Sequence, residues 1–209
     1  MGGVTREDVT QTDGPTGGKC TPRTAATEGP VSGSVLVENC LIANNRCNVG
    51  AAGISVSGST LKPVIAHCTI VSNTCNSGVA GGFGVGPGGH TVSATNLVVW
   101  GNVHVANPAT DDFATVDTSG HSALVNCLCG NYAAATSATD CFYADPLFQN
   151  SASGNYRPAS TSPCINRGVE YDGIQNAVDL AGKQRVIGGA PDLGCYESNA
   201  GAATLMFIR

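Results

Sequence analysis

Three stretches of this chain align almost without gaps: NCLIANN at residues 39–45, HCTIVSN at 67–73 and NLVVWGN at 96–102. Successive stretches begin 28 and 29 residues apart. A repeat of this length with short apolar alternation is typical of a solenoid, in which each repeat forms one rung and the rungs stack. Because the repeat fills the inside of such a coil, a functional site is expected on its outer surface.

Alternation within the aligned stretches predicts a strand with an inward and an outward face. The inward columns are expected at Cys40, Cys68 and Leu97 and at Ile42, Ile70 and Val99, and the outward column at Leu41, Thr69 and Val98. Each repeat is expected to hold three strands, the first of them led by Gly-Gly. The connections show no 3.6-residue period, which disfavours a βαβ arrangement. The sequence therefore predicts an all-β, right-handed parallel β-helix with about 28–29 residues per rung and an irregular C-terminal cap region.

The repeat divides the chain into four parts. Regular rungs are expected over 35–141, preceded by an incomplete rung, long loop or disordered arm over 1–34. A motif-rich region covers 142–197, and 198–209 is expected to form a terminal strand or cap segment. The Gly-Gly-Val near the start indicates a chain that begins partway through a longer coil. An uncapped N-terminal rung would expose strand edges, which predicts self-association there.

Composition excludes several classes of partner. The chain of 209 residues carries a net charge of −5, and its 10 basic residues are scattered. Without a basic patch, nucleic acid and anionic membranes are not expected partners. No apolar run reaches the length of a transmembrane helix, and the opening MGGVTRED lacks the apolar core of a signal peptide.

Five motifs follow in order in the last third of the chain. They are DPLF at 145–148, GNYRP at 154–158, SPCINRG at 162–168, DLAGKQR at 179–185 and DLGCYE at 192–197. Together they resemble the C-terminal signature of bacterial surface β-helix proteins of the choice-of-anchor Q type, which have a pectin-lyase-like fold. Asn166 and Cys195 depart from that signature, which usually has Asp and a small residue there. The resemblance implies an extracellular or cell-surface location.

The ten cysteines permit several arrangements. Cys40 and Cys68 are expected to be buried free thiols, because parallel side chains on adjacent rungs disfavour a disulfide torsion. For Cys47 and Cys75, in the predicted turns, both a rung-to-rung bridge and free thiols remain open. The pair in CLC at 127–129 has a metal-ligand spacing but no second pair, so no zinc site is expected. A bridge between two of the three later cysteines also stays open; they are Cys141, Cys164 and Cys195.

Two columns of asparagine mark the bends around the third strand. The first holds Asn39, His67 and Asn96, and the second holds Asn45, Asn73 and Asn102, with Asn131 as a candidate continuation. Asparagine tolerates left-handed backbone, and stacked amides can hydrogen-bond along the coil. We interpret both columns, and His67 with them, as structural ladders, the alternative being a row of sugar-binding amides.

The repeats offer little acid–base chemistry. Between residues 35 and 107 the charged residues are Glu38, Arg46 and Lys62, whereas a glycosidase needs two neighbouring carboxylates. Asp111, Asp112 and Asp117 precede the fourth rung and either bind a cation such as Ca²⁺ or keep a loop soluble. No other cofactor is expected.

Four residues remain candidates for ligand binding. Asp179, Arg185 and Asp192 in the motif region either satisfy loop backbone groups or form a hidden site. Trp100 either forms a sugar-stacking or protein-docking surface with Leu41, Thr69 and Val98, or is covered by a neighbouring loop.

Two functions are compatible with these observations. The first is a noncatalytic extracellular or cell-surface β-helix that acts as a stalk, adhesin or scaffold contacting polysaccharide or cell-surface glycan. The alternative is a polysaccharide lyase or glycoside hydrolase of the pectin-lyase-like class, whose catalytic rungs lie largely outside this chain. A carboxylate-poor coil favours the first.

Overall fold

The structure, a computed structural model, describes residues 35–57, 62–116 and 120–199, together with the backbone strand Arg23–Thr24. The rest of the predicted arm over 1–34, Asp117 and the predicted terminal segment beyond Asn199 lie outside the described residues.

The described residues form an all-β structure with four short 3₁₀ helices and no α-helix. The strands before the motif region are β1 (Arg23–Thr24), β2 (Val35–Glu38), β3 (Leu41–Ala43), β4 (Arg46–Cys47), β5 (Ile54–Val56), β6 (Val64–Ala66), β7 (Thr69–Val71), β8 (Thr74–Cys75), β9 (Phe83–Val85), β10 (Thr91–Thr95), β11 (Val98–Trp100), β12 (Val103–His104), β13 (Phe113–Thr115), β14 (His121–Val125), β15 (Leu128–Cys129) and β16 (Ser137–Thr139). The motif region adds the antiparallel pair β17 (Phe148–Asn150) and β18 (Asn155–Pro158). The 3₁₀ helices span Pro108–Thr110, Tyr132–Ala134, Ser151–Ser153 and Ile174–Asn176.

The strands stack into a parallel β-solenoid of about three rungs. The first sheet has the order β1-β2-β6-β10-β14-β16, and the second has the order β15-β11-β7-β3. The third sheet is β12-β8-β4 and the fourth is β13-β9-β5. Corresponding residues of the repeat pair directly, as Ile42 does with Ile70. The predicted fold class is therefore confirmed.

Each complete rung contains four strands, so the expectation of three was wrong. The missed strands are β4, β8 and β12, each of only two residues. Two residues are too few to show the alternation by which a strand is recognised in sequence. Cys47 and Cys75, predicted to lie in turns, are directly paired residues of β4 and β8.

The predicted inward columns form the core. Cys40, Cys68 and Leu97 are fully buried, and Cys127 extends their column by one rung. Ile70 and Val99 are likewise buried in the second column. Phe83 and Phe113 fill the side of the core under the fourth sheet, with ring centroids 5.3 Å apart.

Left-handed residues turn the chain at both bends of the second sheet. At the first bend Asn39, His67, Asn96 and Asn126 have φ values of 58°, 47°, 56° and 48°. At the second bend the left-handed residues are Asn44, Ser72 and Gly101, one position before the predicted asparagine column. Their positive φ turns the chain sharply from one sheet into the next, as a rung corner requires.

The second asparagine column is a ladder inside the coil. The Asn73 side-chain oxygen accepts hydrogen bonds from the Asn45 amide groups, and the Asn102 oxygen accepts from those of Asn73, all at 2.9–3.0 Å. Asn102 in turn donates to Asp112 from its backbone and side chain, at 3.1 and 2.9 Å. Burial raises the pKa of Asp112 to about 6, an effect these bonds oppose. This column is structural, as predicted.

Asn131 does not continue the ladder. Its exposed side chain donates to the carbonyl of Ala109 at 2.6 Å. The ladder position is taken by Asp112, which arrives from the loop after β12 and is 3% exposed. A carboxylate from that loop reaches the Asn102 amides, so the repeat spacing pointed to the wrong residue.

Cys40 is disulfide-bonded, so the expectation of a free thiol there was wrong. The other cysteines among the described residues are free. They include Cys68 in the core, and Cys47 and Cys75, which lie opposite each other on β4 and β8 without a disulfide bond. The repeat aligns Cys40 with Cys68, which is free, so the inward column did not indicate the bond of Cys40. A hydrogen bond with the Cys127 thiol lowers the pKa of Cys141 to about 7.

The two ends of the first sheet differ. At one end β1 pairs antiparallel with β2 and covers its edge over two residues. At the other end the last rung is shorter than the others. Residues that pair between β14 and β16, such as Ala123 and Ser137, are only 14 positions apart in the sequence. Self-association through the N-terminal rung stays a prediction. Over the described ranges, no helix has the length and apolar character needed to span a bilayer.

We expect Asn73→Ala to lower the free energy of unfolding by about 2 kcal/mol, because it removes the centre of the buried ladder and leaves its partners unpaired. Urea unfolding monitored by circular dichroism measures the change. The matched control is Asn76→Ala, which removes an exposed amide bonded to Asn48 at 2.7 Å and should cost less than about 0.5 kcal/mol. Equal losses in the two variants would contradict a stabilising role for the ladder.

Candidate functional site

The motif region folds back along the side of the coil and covers the second sheet. Thr69 and Val98, predicted to point outward, are buried because this region packs on them. Val98 and Leu128 share an apolar cluster with Cys164 and Leu193 of the motif region. We call residues 142–199 the docked segment.

Gly194 permits the closest approach of the docked segment to the coil. Its φ is 86°, and a β-carbon there would lie 2.5 Å from Thr69 Oγ1 and 3.1 Å from Val98 Cγ2. The Gly194 amide donates to the Asn96 carbonyl at 2.9 Å. The next amide, of Cys195, donates to Thr69 Oγ1 at 3.0 Å. The glycine in DLGCYE is therefore required by contact as well as by backbone conformation.

The first asparagine column binds the docked segment. Asn96 donates from its side chain to the Val169 carbonyl and accepts from the Val169 amide, both at 2.8 Å. Asn39 donates to the Val178 carbonyl at 3.1 Å, and Asn126 donates to the Arg167 carbonyl at 2.9 Å. Asn96 also bonds along the column to His67, as predicted, but the bonds to Val178, Val169 and Arg167 reach across to another part of the chain. The left-handed bend turns these side chains to the outside of the coil.

A buried ion pair lies where the docked segment meets the first bend. Arg185 Nη1 donates to Glu197 Oε1 at 2.8 Å, and both side chains are almost fully buried. Arg185 Nη2 donates to Asn39 Oδ1 at 2.6 Å, so the guanidinium joins the segment to the coil. The Asp192 amide donates to both Glu197 carboxylate oxygens, at 3.1 and 3.2 Å.

The other two candidate acids satisfy backbone amides. Asp179 accepts from the amides of Ala181 and Lys183 at 2.8 Å each, and from that of Glu197 at 2.8 Å. Asp192 accepts from the amides of Asn166 at 2.8 Å and Ser198 at 2.6 Å. Asp179 and Asp192 therefore satisfy loop backbone groups, which is the first of the two hypotheses given for them, and both lie with Arg185 around Glu197.

Burial shifts the acidity of this cluster. It raises the pKa of Glu197 to about 7, and the hydrogen bond from Arg185 opposes the rise. The 2.8 Å contact with the guanidinium and the Asp192 amide favour the carboxylate form. Burial also raises the pKa of Asp192. The cluster holds three carboxyl groups and a single guanidinium, so Asp179 and Asp192 rely on backbone amides where Glu197 has Arg185.

His67 is buried beside this cluster. Its Nε2 lies 3.0 Å from Asn96 Nδ2, which fixes Nε2 as the acceptor, and its ring lies 5.7 Å from that of Tyr171. Burial, together with the positive charge of Arg185, lowers its pKa to about 3. The nearby Asp192 backbone opposes this lowering of the pKa to a smaller extent. Nδ1 is buried and forms no hydrogen bond of normal geometry. The imidazole is neutral at physiological pH.

Trp100 lies under the docked segment. Its ring meets Phe148 edge-on at a centroid distance of 6.2 Å, and Phe148 meets Tyr156 in the same way at 5.3 Å. Of the two readings of Trp100, contact with a neighbouring segment agrees with this placement. Trp100 does not join the charged cluster.

The acidic loop before the fourth sheet is occupied by protein contacts. Asp111 accepts from the His104 amide at 2.6 Å, and Asp112 ends the asparagine ladder. Among the described residues, no group of three or more His, Cys, Asp or Glu side chains could hold a metal ion.

A cleft of about 360 Å³ opens on the docked segment. Arg157 and Lys183 line it, and the Arg157 guanidinium lies 4.6 Å from the centroid of the Tyr196 ring. Sequence reasoning missed this cleft. The two cations are separated by 26 positions and occur in different motifs, so nothing in the sequence indicated that they converge.

No family model matches this chain, and neither the curated proteins nor the solved structures include a match.

We expect Arg185→Met to lower the free energy of unfolding by about 3 kcal/mol, because it leaves the buried Glu197 carboxylate without its partner. The double variant Arg185→Met/Glu197→Gln should be more stable than Arg185→Met, since it removes both charges. Urea denaturation gives these values. Arg167→Met serves as the control, because Arg167 is exposed and only stacks on Phe142 at 4.9 Å, and it should cost less than about 1 kcal/mol. A double variant no more stable than the single one would contradict this account.

His67 predicts a pH dependence of stability. Its pKa is about 3 when folded and 6.5 when unfolded, so only the unfolded state gains a proton as pH falls below 6.5, and stability is lost. We expect His67→Asn to gain about 2 kcal/mol over the wild type between pH 8 and pH 5. Glu197, Asp192 and Asp112 have raised pKa values, so their effect on stability as pH falls is opposite to that of His67. These acids are present in both the wild type and His67→Asn, so the difference in stability between the two proteins isolates the effect of His67. Denaturant titrations at the two pH values measure it, and a constant difference would contradict a buried neutral imidazole.

Proposed function

We propose that this chain is a noncatalytic extracellular or cell-surface β-helix of the choice-of-anchor Q type, which acts as a structural scaffold and contacts glycans. Five motifs in order support the relationship, as set out above, and the parallel solenoid agrees with the fold that the resemblance implies.

The observation that carries this proposal is that the buried charged side chains bond to other groups of the protein. Asp179, Arg185, Asp192 and Glu197 each bond to protein groups that hold the docked segment on the coil. A charged group committed to such bonds stabilises the position of a loop and is shielded from solvent. The arrangement supports a rigid rod whose side is reinforced by its own C-terminal region.

The surface available for glycan contact follows from the packing. The docked segment covers part of the second sheet, as the burial of Val98 and Leu128 shows. The outer side chains of the third sheet, Arg46, Thr74 and Val103, are exposed or half-buried. The docked segment itself offers hydroxyl and amide groups around its cleft. Glycan contact is therefore proposed for the third sheet and the docked segment.

A glycan array and a polyuronate panel test this function together. We expect the protein to bind one or more glycan classes and to release no unsaturated product, followed by ultraviolet absorbance, with or without Ca²⁺. Unsaturated products would establish the polysaccharide lyase alternative, and newly formed reducing ends would establish the glycoside hydrolase. Uniform absence of binding would contradict glycan contact and leave only the structural role.

A further inference from the structure

The cleft on the docked segment concentrates positive charge in an acidic protein. The whole chain has a net charge of −5, yet Arg157 and Lys183 both line this one cleft. Glu197 also lines it, but its carboxylate is paired with Arg185. Arg157 and Lys183 form no salt bridge among the described residues, whereas the nearby Asp179 and Asp192 are buried and bonded to backbone amides. An anion is the ligand that two cations without a charged partner attract.

The two cations retain hydrogen-bonding capacity. Lys183 Nζ donates to the Glu197 carbonyl and to Asn199 Oδ1, both at 3.1 Å, which leaves one of its three N–H groups. The Arg157 guanidinium carbon lies over the Tyr196 ring, 4.6 Å from its centroid, a contact that restrains the side chain. A guanidinium held in this way suits the bidentate recognition of a carboxylate or a sulfate group.

The remaining lining matches a polyhydroxylated molecule. Gln149, Ser160 and Asn199 contribute amide and hydroxyl groups, and all three are exposed. The volume of about 360 Å³ is at the lower end of the range for small-ligand sites. A single sugar unit is of that size, and its hydroxyl groups can pair with amides and hydroxyls.

We infer that this cleft binds one anionic sugar unit of a glycan, with Arg157 and Lys183 holding its carboxylate or sulfate group. The inference rests on the proposed glycan contact and adds to it a place and a ligand class. The site lies on the docked segment beside the buried cluster of Asp179, Arg185 and Glu197, whose charges are committed to protein groups.

Isothermal titration with free sugars tests the inference. The probes are glucuronate, N-acetylglucosamine 6-sulfate, glucose and inorganic sulfate. We expect at least one of the two sugar acids to bind, and the tighter of them identifies the anionic group. Glucose and inorganic sulfate should bind at least tenfold more weakly, because each lacks half of the complementary chemistry.

Three variants locate the binding. Arg157→Gln should weaken the binding of the sugar acid at least tenfold, and Ser160→Asp should do the same by adding a negative charge at an exposed position. The matched control is Lys62→Gln, the loss of an exposed cation just before β6 and outside both proposed contact surfaces, which should leave affinity within twofold. Melting curves verify that each variant is folded. Ser160→Asp provides the test if Arg157→Gln is unstable, since Ser160 is exposed and the substitution leaves the pair of Arg157 and Tyr196 in place.

Several outcomes would overturn the inference. They are unchanged affinity in Ser160→Asp, equal losses in Arg157→Gln and Lys62→Gln, equal binding of glucose, and inorganic sulfate that binds as tightly as the sugar acids. A glycan array that binds Arg157→Gln as well as the wild type would overturn this site while the proposed function stands. An array that binds neither protein would overturn both.

Discussion

The left-handed column at the first bend is the constraint on which the rest of the structure depends. Asn39, His67, Asn96 and Asn126 all have positive φ, which turns each rung from its first sheet into its second. The same conformation directs three asparagine side chains to the outside of the coil, where they bond Val178, Val169 and Arg167. One backbone requirement thus closes the rungs and also provides the attachment for the docked segment.

The docked segment replaces solvent on one side of the solenoid. Burial of Arg185 or Glu197 alone would cost a large desolvation free energy. Their pairing offsets this cost because Asn39 and the Asp192 amide complete the hydrogen bonds of the two charged groups. Such a buried pair favours one arrangement of the segment over others, since any shift leaves a charge without a partner. The cleft beside it consequently has a fixed shape, as a site for a small ligand requires.

The sequence was informative wherever an interaction repeats. Inward columns such as Cys68 and Ile70, and the ladder through Asn73, were predictable because equivalent residues stack at each rung. It was uninformative where a single residue breaks the repeat. Asp112 replaces Asn131 at the end of the ladder, and β4 is too short for its alternation to be seen.

The candidate site likewise combines features that the sequence predicted with features that it did not. That Asp179, Arg185 and Asp192 serve one region could be inferred from their ordered motifs, whereas their meeting at Glu197 could not. Arg157 and Lys183 likewise converge only because the docked segment doubles back on itself. The sequence by itself determined the parallel coil, because period and alternation are local properties of the chain. Only the tertiary structure decided which outer face is covered and where the cations meet, because those contacts join residues with no common period.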